Sequence, residues 1–249
     1  MAFTLFGWSC LFSQHYGVIG AGGVLDFYNS AELNDFRRTY NSVNGPNMNQ
    51  HLSGFNNYVG LCFEGGYRYM GYRLTTSLLL GWQRLRGLST GQFNNGDSRI
   101  IELHSDAFYF EAGLGRLWGD FFLSGLFALF ANRNFTIESR YSNVSGLDYI
   151  ERLDGTYKAR TPISADIGLA IGLRRHPLFL IAKVTHPVFS SDSDARLRSS
   201  DPEKAVDGSD LFPEDFIKFS TGEPYSGVRN NLDGWKVALT FGFAFKMAI

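Results

Sequence analysis

From residue 14 onward, large apolar side chains recur at every second position, in segments separated by polar or glycine-rich breaks. Over 235–249, Trp235, Val237, Leu239, Phe241, Phe243, Phe245, Met247 and Ile249 share one face. Lys236, Ala238, Thr240, Gly242, Ala244, Lys246 and Ala248 share the other. A helix would scatter this pattern around its axis, whereas a strand separates it completely. The same alternation predicts strands over 55–69, 72–82 and 163–173, and more weakly over 16–27, 108–118 and 178–188. Residues 120–135 are apolar on both sides, so their facing stays open. The count is eight strands.

The connections separate two kinds of barrel. Short breaks near Gly71, Gly119 and Pro177 alternate with long polar stretches at 29–53, 86–98, 138–156 and 190–233. Short turns at one end, long loops at the other and an even number of strands describe a transmembrane up-and-down β-barrel with short periplasmic turns and long extracellular loops. Aromatic residues fall at the two ends of the predicted strands, where a membrane barrel carries its girdles. Tyr67, Tyr69, Tyr72 and Trp118 lie at the short-turn end, and Trp82 and Trp235 at the long-loop end. A soluble eight-stranded barrel turns its apolar face inward. Here the opposite face is rich in glycine and would fill a soluble core poorly.

Composition adds to this picture. The chain of 249 residues holds 28 Gly and 23 Phe, is 44% hydrophobic and only 19% charged, and has a formal net charge of -1. Mean hydropathy is -0.12. No apolar stretch reaches the ~20 residues of a spanning helix, and no basic footprint points to nucleic acid. Residues 1–14 form an uncharged apolar leader that reads as a partial signal peptide or as a first buried strand, with the barrel domain over 15–249. Past that leader only Cys62 remains, so no Cys-based metal site or other cofactor is expected.

The strands, the turn asymmetry and the closing segment 234–245 give the chain a resemblance to small bacterial outer-membrane barrels of the OmpA, OmpX and OmpW kind. That resemblance implies the outer membrane as location, with lipopolysaccharide and phospholipid around the wall. It also implies recognition of the closing strand by the barrel-assembly machinery, although Lys246-Met247-Ala248-Ile249 replaces the usual terminal aromatic. It carries no family-specific motif, so it implies a fold and a place more than an activity.

The inward face collects Asp26, Glu64, Glu111 and Asp166 with Arg68, Arg73, Lys183, Lys236 and Lys246. Charges in so narrow an interior must be paired, and eight strands leave just enough room for side chains to fill the lumen. One reading is a salt-bridged plug; the other is a small pore opened by rearranging the pairs.

Outside the membrane, Ser30 reads as a helix N-cap, with Leu33, Phe36 and Tyr40 on one helical face. That face either covers the barrel mouth or docks a partner. The last loop holds ten acids against five bases. These acids read as solvated surface or as a calcium site without EF-hand spacing. Its apolar segment, with Leu211, Phe212, Phe216 and Phe219, is a second candidate for partner contact. His104 and Ser105 are adjacent and so point to opposite faces, which gives no nucleophile–base pair. The expected function is a non-enzymatic structural or accessory subunit of an envelope complex. A channel for small solutes or hydrophobic compounds is the alternative, and a lipid-modifying surface enzyme the third reading.

Overall fold

A computed structural model describes residues 14–28, 30–143, 153–191, 197–199 and 234–247. The elements in order are β1 (Gln14–Tyr28), α1 (Ala31–Asn44), β2 (Met48–Gln50), β3 (Tyr58–Met70), β4 (Leu74–Phe93), β5 (Ser98–Trp118), β6 (Phe121–Ser142), β7 (Gly155–Arg175), β8 (Leu178–Ser190), β9 (Arg198–Ser199) and β10 (Gly234–Lys246). All ladders are antiparallel. Eight strands make a ring, β1-β3-β4-β5-β6-β7-β8-β10, and β10 returns to pair with β1 from Tyr16↔Lys246 to Tyr28↔Gly234. Closure leaves no free edge inside the membrane, the condition a sheet must meet in hydrocarbon.

The outer wall is the apolar face that alternation predicted. Ile19, Leu61, Phe63, Leu80, Phe108, Leu114, Leu169 and Phe243 are all exposed, Leu80 by 68% and Phe108 by 65%. So large an apolar surface on a folded chain belongs against lipid. Tyr67, Tyr69, Tyr72, Trp82, Trp118 and Trp235 are half-buried or exposed on the outer face. The chain is an outer-membrane-type β-barrel.

Two expected loops are strands. The sequence predicts long polar connections at 86–98 and 138–156, yet β4 runs to Phe93, β5 begins at Ser98, β6 reaches Ser142 and β7 begins at Gly155. Paired with one another, these four strands pass well beyond β3 and β8 on either side: β3 pairs with β4 only as far as Val59↔Arg86, so 87–93 extend about 23 Å further at ~3.3 Å per residue. On their outer face the apolar band gives way to Arg84, Arg86, Glu102, Asp106, Glu138 and Arg140. Pairs form at Arg84–Asp106 (3.6 Å), Arg86–Glu102 (2.6 Å) and Arg140–Glu138 (2.8 Å). The upper edge of β4 is covered in turn, since β2 pairs with Gln92 and Phe93 and Ser53 donates its N–H to the Thr90 carbonyl at 3.2 Å. β9 covers part of β7 at Tyr157 and Lys158. Such covering removes the template an exposed edge offers for mispairing.

Candidate functional site

The lumen of the ring is the candidate site, and small residues make room for it. Three inward-facing glycines stand opposite an aromatic ring on the next strand: Gly81 with Tyr109, Gly172 with Phe122, and Gly87 facing Tyr58. A Cβ at Gly81 would come within 2.2 Å of the Tyr109 ring, and one at Gly172 within 2.1 Å of Phe122. Glycine on one strand is therefore the space into which the neighbouring ring lies down.

At mid-lumen, Lys183 Nζ donates to Glu64 Oε2 at 2.5 Å and to both Glu111 oxygens at 2.9 and 2.8 Å. Tyr109 donates its hydroxyl to Glu64 Oε2 at 3.2 Å. Arg68, buried below this triad, lays its guanidinium over the Phe122 ring at 4.5 Å. Nearer the long-loop end, Lys236 pairs with Asp166 and faces Asp26 across the β1–β10 ladder. Arg133 Nη2 lies 4.0 Å from Asp166, and both cations sit over the Phe130 ring. A cavity of about 40 Å³ separates the two clusters, lined by Glu64, Gln83, Tyr109, Glu111, Lys183 and Lys236. That volume admits water and no larger solute.

Seven of the nine predicted lumen charges are buried: Asp26, Glu64, Arg68, Glu111, Asp166, Lys183 and Lys236. Arg73 and Lys246 are not among them. Both have inward parity, but Arg73 stands in the turn before β4 and Lys246 is the last residue of β10, and both are exposed. Parity fixes a face only where neighbouring strands enclose the residue. Arg133 and Arg174 take their places. Arg133 is turned inward by a bulge: between Asp106↔Asn134 and Phe108↔Ala131, β6 carries one residue more than β5, and Asn132 has φ 52. Asn tolerates this left-handed conformation and a bulge reverses the facing beyond it. The polar triplet Asn132-Arg133-Asn134 interrupting an apolar strand was the available signal.

The two ends are sealed as well. At the short-turn end, Arg174 Nη1 donates to the Tyr16 hydroxyl at 2.7 Å, beside Met70, Phe179 and Ala244, and only about 10 Å³ stays empty. At the long-loop end, α1 lies over the mouth. Ser30 caps it, its Oγ accepting from Leu33 N–H at 3.2 Å. Leu33, Phe36 and Tyr40 are 1%, 1% and 2% exposed and pack with Leu52, Phe55, Ile101, Leu103, Phe135, Ile137 and Tyr157. Of the two readings of this face, mouth cover is the one realised; these residues are not a free partner surface. Phe55, placed by sequence at the start of a lipid-facing strand, belongs to this core.

Arg99, fully buried, ties lid to wall. It pairs with Asp154 and donates to Ser139 Oγ at 3.2 Å and to the Tyr40 hydroxyl at 3.3 Å. Tyr141 lies under its guanidinium at 5.2 Å and donates to Asp97 Oδ2 at 2.7 Å. Burial, with that bond to Asp97, pushes the Tyr141 phenol up to about 12. Burial likewise raises Tyr40, against the pull of Arg99. A phenol raised in the folded state contributes stability below its unfolded value, and loses it as pH rises through the folded one. On the outer face, the bond from Arg86 holds the Glu102 carboxyl below its usual range, so that contribution fades as acid protonates it.

His104 faces outward 3.6 Å from Glu102, while Ser105 is buried inside. His186 packs edge-on against Trp235. Leu211, Phe212, Phe216, Phe219 and the acids of the last loop lie outside the described residues, as do 1–13.

No family model matches the chain, and no curated protein matches it. Among solved structures, it is similar to Ail, the attachment invasion locus protein of Yersinia pestis, crystallised with the heparin analogue sucrose octasulfate. Identity is 10%, TM-score 0.42, and the alignment covers 93% of this chain and 99% of that one. It is also similar to the outer membrane protease OmpT of Escherichia coli, at 9% identity and TM-score 0.41, over 94% of this chain and 96% of that one.

Proposed function

We propose that the chain is a closed, non-conducting barrel of a Gram-negative outer membrane. It serves as a structural or accessory subunit of the envelope through its lipid-facing wall and the protruding half of its sheet. The observation that carries this reading is the sequence of seals along one axis: Arg174–Tyr16, the Lys183–Glu64–Glu111 triad, the Lys236–Asp166 cluster and the α1 lid. Every one of these would have to open for a solute to pass. Breaking buried ion pairs one partner at a time costs about 3–5 kcal/mol each.

A small-solute conduit is the second reading, favoured by the mid-lumen cavity with charged side chains on its wall. The balanced signs there give no preference for anions or cations, which a selective channel needs.

The accessory role is tested by gentle solubilisation of membranes that express the tagged chain, followed by sizing under native conditions. Recovery of a stoichiometric envelope protein is the expected result. A lone monomer in every mild detergent would contradict it.

A further inference from the structure

The short-turn rim is cationic and, among the described residues, carries no ion pair. Arg73, Arg116, Arg175 and Lys246 are exposed and Arg174 is half-buried, against one acid, Asp120. The contrast with the protruding end is sharp, since Arg84, Arg86 and Arg140 there each face a carboxylate. Two of the rim cations share a corner. Arg116 lies on the lipid-facing side of β5 between exposed Leu114 and Trp118, and its guanidinium sits 5.5 Å from the Trp118 ring centroid. Arg73 stands in the neighbouring turn, its guanidinium 5.3 Å from the Tyr72 ring centroid. The corner is fixed by backbone bonds: Leu74 pairs with Arg116, and Leu117 N–H donates to the Arg73 carbonyl at 3.0 Å.

Girdle rings sit at headgroup depth. Stacking therefore holds both guanidiniums at the level of lipid phosphates, and the wall below Arg116 offers Leu114 and Leu78 to an acyl chain. A planar guanidinium matches a phosphate with two parallel hydrogen bonds. An arginine facing lipid without a carboxylate partner is satisfied there by an anionic headgroup.

We propose that Arg73 and Arg116 form a binding site for the phosphate of an anionic phospholipid in the leaflet at the short-turn end. Placing that leaflet on the periplasmic side rests on the outer-membrane assignment; the site itself does not.

The test uses the purified full chain in phosphatidylcholine vesicles containing a trace of spin-labelled phosphatidylglycerol or spin-labelled phosphatidylcholine. The motionally restricted fraction reports lipid held at the wall. The native chain should restrict phosphatidylglycerol preferentially, by about fivefold per guanidinium at low salt. The preference should fall by about fivefold for each guanidinium removed in the Arg73→Gln/Arg116→Gln variant and persist in Arg84→Gln/Arg86→Gln. Heat-dependent gel migration confirms that each variant folds. Equal restriction of the two lipids by the native chain would overturn the site, as would a preference unchanged in the first variant or falling equally in the second. Conductance does not enter this readout, so its failure leaves the closed-lumen reading intact, and the reverse holds too.

Discussion

Lys183 is the residue on which the mid-lumen arrangement turns. It makes the direct ion pairs to two carboxylates, Glu64 and Glu111, with Arg68 as a second cation below them, and all are buried. Lys183→Met keeps much of the volume and removes the charge, leaving two acids facing one another in low dielectric. We expect a loss of about 3–5 kcal/mol, read as the denaturant midpoint of the folded, fast-migrating band on unheated gels. A loss below ~1 kcal/mol would mean that the triad contributes little. These residues were legible from alternation alone, because a lumen face in a regular strand follows from parity. Arg133 was hidden because a single extra residue, Asn132, reverses parity within an uninterrupted strand. Arg73 and Lys246 were misplaced for the complementary reason, since parity was carried past the point where strands enclose a side chain.

Among the elements, α1 has the clearest separate role. Its apolar stripe was visible in the sequence, but the surface that covers it was not, because that surface comes from strand segments read as loops. In 87–93 three of the four inward positions, Gly87, Ser89 and Gly91, are too small to show apolar alternation, and only Phe93 is large. The structure gives the reason. A Cβ at Gly91 would meet the Met48 side chain at 2.6 Å and the Leu52 backbone at 3.2 Å, so the small residues seat the chain that follows α1. Phe36 anchors the helix, stacked on Phe55 at 6.5 Å between ring centroids. Phe36→Ala should cost the lid about 3–5 kcal/mol. Because the membrane ring stays intact, the effect should appear locally, as faster tryptic cleavage after Arg37 and Arg38 with gel migration unchanged. Unaltered cleavage kinetics would contradict the assignment of α1 as a cover held by its apolar face.

At the scale of the whole molecule, two bodies of packing share one sheet. Below, an apolar wall meets lipid and a charged interior balances four acids, Asp26, Glu64, Glu111 and Asp166, against Arg68, Arg133, Arg174, Lys183 and Lys236. Above, strands β4 to β7 continue into water with the facing reversed in character: apolar inside under α1, charged outside. Strand number, ring closure and outer wall could be read from the sequence, since lipid imposes strict alternation. The protruding half could not, because water on one side and a helix on the other impose no such regularity. Closure along the axis is the property on which the proposed role depends, and single-channel recording in planar bilayers measures it directly. The native chain should give no discrete conductance steps at either polarity. Stable, reproducible steps from folded native protein, abolished by neutralising Glu64 or Arg68, would contradict it.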